Sequence, residues 1–146
     1  MLVQLNRTDQ NELFAPNPAA SVRRADAVVA VLGYPGRVAG LAAHLPTGWS
    51  VRFAAGLDDI HPGDIVLISG ALPADVTTAR ALLPRRTCVV TLLDDDAPAG
   101  LVAAVLTAGA DVCVRGGQPA VLAGHLVACR RRRLTDRWVD VEARLR

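Results

Sequence analysis

At 146 residues, 51% hydrophobic and 21% charged, the chain has the composition of one globular domain whose core needs no covalent staples. A net charge of +2 is too small to argue for a nucleic-acid partner. All 16 basic residues are arginine, so any mechanism that needs a lysine, whether Schiff base, P-loop or lysine switch, is excluded.

Residues 1–25 are polar and interrupted by Ala15-Pro-Asn-Pro18, and they read as an N-terminal arm. The first residues carry no signal-peptide core, and no apolar run approaches the ~18 residues of a membrane span, so a cytoplasmic protein is expected. Ala27–Leu32 is a buried strand, followed by the turn Gly33-Tyr-Pro-Gly36. Val38, Leu41, Ala42 and Leu45 then follow a helical stripe. Trp49–Ala54 alternates and is a second strand. Asp64-Ile-Val-Leu-Ile-Ser69, bounded by Pro62-Gly63 and Gly70, is a third strand covered on both faces.

Val76–Leu83 is helical, and Thr87–Leu93 is a fourth strand. Asp94-Asp-Asp96 and Pro98 suit the start of a helix over Ala99–Ala108. Val112–Val114 is a short fifth strand, and Pro119–Arg133 is a last helix with arginines at its C-terminal end, where they complement the dipole. The alternation implies a parallel sheet with helices on both faces. Between the second and third strands, Ala55–Gly63 leaves room for barely one helical turn, so that crossover helix is short or missing. Cys88, Cys113 and Cys129 lie in apolar contexts without metal-ligand spacing and read as reduced core thiols.

Gly48-Trp-Ser-Val, the run Asp64-Ile-Val-Leu-Ile-Ser-Gly-Ala-Leu-Pro73, the turn Ala108-Gly-Ala-Asp111, and Leu122 with the arginine run occur in the order and spacing of a known family. Over residues 26–133 the chain resembles the receiver domain of bacterial response regulators. The resemblance implies a flavodoxin-like (CheY-like), doubly wound, five-stranded parallel sheet. The family holds Mg²⁺ with an acidic pair after the first strand and phosphorylates an aspartate after the third. A Ser/Thr after the fourth strand and a lysine after the fifth read the phosphoryl oxygens. A hard cation wants carboxylate oxygens, and developing phosphoryl charge wants a cation opposite it.

Carried over by position, the acidic pair falls on Leu32 and Gly33, and the acceptor on Ser69. The hydroxyl position falls on Asp94 or Leu93, and the lysine position on Arg115 or Gly116. The expectation is a pseudo-receiver with a degenerate phosphoacceptor pocket, without catalytic activity, metal or cofactor.

Other readings of these residues stand beside that one. Ser69 as a serine phosphoacceptor lacks a base, and a loop serine bonded to backbone is the plainer account. Asp94-Asp-Asp96 as a cation site competes with a capped, solvated helix start. An Arg115–Asp94 ion pair is a candidate lock of one loop arrangement, although an exposed pair contributes little. Gly33-Tyr-Pro-Gly36 lacks the spacing of a phosphate loop. His44, His61 and His125 share no motif. Arg130, Arg131, Arg132 and Arg133 are the candidate nucleic-acid contact, against a solvated helix end.

Residues 134–146 form a C-terminal helical extension in which Leu134, Trp138, Val141 and Leu145 recur on one helical stripe. Either the stripe packs back on the domain, or it meets a second copy or a partner helix with Trp138 as anchor. The expected function is a signalling module acting by protein contact, as a homodimer or with another regulatory protein. The alternatives are a small-molecule-binding domain, with ligand beside Gly33, Ser69 and Asp94, and a degenerate DNA-associated regulator.

Overall fold

The central strands are apolar on both faces because they are covered on both faces. The computed structural model describes residues 26–145, without the side chains of 136–141. Five parallel strands, β1 (Ala27–Gly33), β2 (Trp49–Phe53), β3 (Ile65–Ser69), β4 (Val89–Leu93) and β5 (Val112–Arg115), lie in the order β2-β1-β3-β4-β5. All five residues of β3 are buried between β1 and β4. Each of its four aliphatic side chains gains about 2 kcal/mol from leaving water.

Alternation divides the strand residues between two cores. Val29, Val31, Ile65, Leu67, Val90 and Leu92 face the helix α3 (Pro119–Leu145) through its Leu122, Leu126 and Cys129. Val66, Ile68, Val89 and Leu93 face α1 (Pro73–Leu82) and α2 (Ala99–Ala108) through Val76, Ala79 and Val105. This is the doubly wound CheY-like arrangement.

Two crossovers depart from an ordinary helix. After β1 the sequence pattern predicts one helix, but the chain makes two 3₁₀ turns, Pro35–Val38 and Leu41–His44. Ala39 is extended, and Gly40 sits at φ 82°, which breaks the helix between them. Val38 and Leu41 are buried all the same, because a three-residue spacing serves a 3₁₀ turn as well as a helix; Ala42 is exposed. Between β2 and β3 the expected short helix is a single 3₁₀ turn, Leu57–Asp59. Leu57 and Ile60 pack on the sheet there. Arg52 on β2 reaches across to the Asp59 carbonyl (2.9 Å) and to the buried Asp64 carboxylate (2.6 Å).

The other expected bounds shift by one to three residues at the ends. The largest difference is at the C-terminus. The last domain helix and the extension are one continuous helix of 27 residues, about 40 Å at 1.5 Å per residue. It does not turn back on the domain: Leu134 is 42% exposed and Leu145 is 81% exposed. The expected arm over residues 1–25, and the side chains of Trp138 and Val141, lie outside the described residues. No helix among the described residues is long and apolar enough to cross a membrane.

Candidate functional site

In a parallel sheet, chemistry collects beyond the carboxyl ends of the strands. Gly33, Ser69 and Arg115 end β1, β3 and β5, and Asp94 directly follows β4, so the fold brings four of the five predicted pocket residues to one rim. Leu32 does not join them: it is half-buried and packs with the α1–α2 core.

Gly33 pairs in register with Ser69, at a backbone φ of +91°. A Cβ placed on Gly33 would lie 2.1 Å from the Ser69 carbonyl oxygen, so no side chain fits there without moving backbone. That carbonyl accepts a hydrogen bond from the Tyr34 N–H at 3.4 Å. The Tyr34 ring then lies over Gly70, whose absent Cβ would meet it at 2.5 Å. Together these contacts hold the loop after β1 down on the end of β3.

Ser69 belongs to the strand rather than to the loop, and it is 1% exposed. Its hydroxyl has no hydrogen-bond partner, so the expected bond to backbone is absent. A hydroxyl enclosed in this way cannot meet a phosphoryl donor without the rim opening.

Asp94 pairs with Arg37, whose guanidinium also stacks on the Tyr34 ring at 5.0 Å. The anticipated Arg115–Asp94 pair is not formed. Arg115 instead donates to the Ala97 carbonyl at 3.0 Å, satisfying the turn that leads into α2. Asp94 takes its cation from the loop after β1, a partner that sequence spacing gives no means to choose. Asp94, Asp95 and Asp96 are exposed and precede α2 by a turn capped at Pro98, so they do not cap the helix. No cluster of three or more His, Cys, Asp or Glu among the described residues is arranged to hold a metal ion. A cleft of about 220 Å³ beside Asp94 is lined by Arg37, Leu93, Asp95 and Gly116, but by neither Gly33 nor Ser69.

The arginine run divides by helix face. Arg133 donates to Asp111, and Arg130 lies over the Trp49 ring at 5.9 Å, while Arg131 and Arg132 are exposed. Two of the four therefore serve the domain's own packing. The three histidines are exposed and lie far apart in the chain.

No family model and no curated protein matches the chain by sequence. Solved structures do match its fold. A CheY-like response regulator receiver domain protein from Methanospirillum hungatei JF-1 superposes with a TM-score of 0.62 at 14% identity, covering 76% of this chain and 98% of that one. A protein from Burkholderia pseudomallei K96243 described as pilus assembly-related gives 0.59 at 18% identity, covering 73% and 91%. The CheY-like protein tadZ from Pseudomonas aeruginosa PAO1 gives 0.56 at 22% identity, covering 72% and 94%. At these identities the likeness is one of fold, and that fold is CheY-like.

Proposed function

We propose that this chain is a receiver-like signalling module that works by protein contact and takes no phosphoryl group. The observation that carries the reading is the backbone at Gly33. Gly33, one of the two positions where the resemblance puts a receiver's acidic pair, has a left-handed φ and no room for a Cβ in this backbone, which supports a rim without that carboxylate. The enclosed Ser69 and the Arg37–Asp94 pair support the same reading, and no catalytic role is assigned to the rim.

Contact falls to the outer surface of the fold. The extension of α3 beyond the sheet, with Leu134 and Leu145 exposed, is the surface we assign to a second copy of the chain. Among the structural neighbours, the Burkholderia protein is named for an assembly rather than for a phosphorelay. A contact module within such an assembly fits a rim without phosphoryl chemistry. Three free thiols suit a reducing, cytoplasmic setting.

Incubation with acetyl phosphate and Mg²⁺, read by intact mass, tests the central claim. No phosphoryl adduct is expected. Stable incorporation would overturn the reading.

A further inference from the structure

Two of the three cysteines meet at the end of the molecule opposite the rim. Cys88 immediately precedes β4 and Cys129 lies on α3, 41 residues further on. Both are buried in the core beneath α3. The Cys88 thiol donates to the Cys129 carbonyl oxygen at 3.5 Å, which sets its sulfur beside Cys129. Cys113 packs on the other face of the sheet, with the α1–α2 core, and cannot join them.

We propose that Cys88 and Cys129 form an oxidation site that closes to an intramolecular disulfide when the folded protein meets hydrogen peroxide.

The surroundings assign the order of events. The neighbouring Cys88 thiol favours the Cys129 thiolate and holds its pKa below the usual thiol value, against the opposing effect of burial. Arg132 and Arg133 act in the same direction as that thiol, and Asp111 against it. The neighbouring Cys129 sulfur, then burial, pushes the Cys88 thiol up. Cys129 also borders a cleft of about 350 Å³ lined by Arg131, Arg132 and Thr135; the residue itself is 1% exposed, so a small oxidant reaches its sulfur only as that wall opens.

The Cys129 thiolate attacks one peroxide oxygen, the O–O bond breaks, and the leaving hydroxide takes up a proton as water. The product is a sulfenic acid on Cys129. The Cys88 sulfur then attacks the Cys129 sulfur; the S–S bond forms, the S–O bond breaks, and hydroxide leaves as water with the Cys88 proton. Two thiols are oxidised and one peroxide is reduced to two waters. The new bond ties the start of β4 to α3 one helical turn before Arg133.

The test treats the whole chain with hydrogen peroxide in native buffer and, separately, in denaturant, followed by thiol titration and peptide mapping. The folded protein is expected to lose two of its three thiols, to yield a linked Cys88–Cys129 peptide, and to keep Cys113 reduced. Closure should be at least tenfold faster in native buffer than in denaturant, because only the fold brings the thiols together. Cys113→Ala should behave as the wild type, and Cys129→Ala should give no link. Three surviving thiols, a link through Cys113, a sulfinate on Cys129 without a link, or closure as fast in denaturant would each overturn the proposal. Mapping of the wild type decides the question even if Cys129→Ala fails to fold.

Discussion

Arg80 on α1 and Arg133 on α3 grip the same carboxylate, Asp111, from opposite sides of the sheet. Arg80 donates at 2.7 Å to one oxygen, while Arg133 donates to the other. The Val89 N–H adds a third bond at 2.8 Å, and Arg80 also caps the Thr87 and Gly109 carbonyls at 2.7 and 2.6 Å. All three side chains are about one-quarter exposed or less, so solvent screens the pairs only in part. One acidic residue thus joins the two helical layers where β4 and β5 begin.

Asp111→Ala would strand two guanidinium groups and a backbone N–H together. We expect a loss of about 2 to 3 kcal/mol in urea unfolding. A change below ~0.5 kcal/mol would mean the clamp is replaceable by water.

Gly33→Ala brings a methyl group against the Ser69 carbonyl and forces a left-handed φ on a residue with a side chain. The expected cost is 3 kcal/mol or more, on the order of the largest single-site effects. Gly36→Ala is the matched control: nothing lies within 4 Å of its Cβ, so its cost should stay within about 0.5 kcal/mol. Equal midpoints for the two variants would contradict the geometry at Gly33.

Ser69→Ala removes a buried hydroxyl that bonds to nothing, so it should be neutral or stabilising by up to about 1 kcal/mol. Ser69→Asp, which places a carboxylate in the same buried position, should instead destabilise by several kcal/mol, on the order of burying a polar group unpaired. It should also remain inert to acetyl phosphate. Thermal denaturation of the two variants beside the wild type reads both effects, and a marked loss for Ser69→Ala would reveal a partner for the hydroxyl.

The extension of α3 is tested in solution. Trp138→Ala, or Leu134→Asp on the exposed stripe, should move the protein towards monomer in sedimentation velocity, with the domain still folded by circular dichroism. Dimers of undiminished strength in both variants would remove the extension from the interface.

Much of this fold was legible because the strands announce themselves. Ile65–Ser69 is an apolar run of strand length between turn residues, and a buried parallel strand is the natural home for such a run. The segment after β1 was less legible, since Val38 and Leu41 satisfy α and 3₁₀ periods alike and Gly40 decides between them. At the rim, the positions of Gly33, Ser69, Asp94 and Arg115 follow from strand ends alone. Their partners do not: Arg37 and Arg115 are both arginines within reach of one turn, and only the folded loops show which takes Asp94 and which takes the Ala97 carbonyl. Asp111 and its two arginines lie 31 and 22 residues apart, and Cys88 and Cys129 are 41 apart, separations at which local spacing carries no signal.

The close approach of Gly33 to Ser69 also bears on how such a chain can change over generations. An acid introduced at residue 33 gains nothing while the backbone beneath it stays as it is, and an aspartate at residue 69 gains nothing without a cation partner. The strand end therefore resists change one substitution at a time: any side chain at residue 33 must wait for the backbone of residue 69 to move, while the exposed surfaces of the fold carry no such constraint.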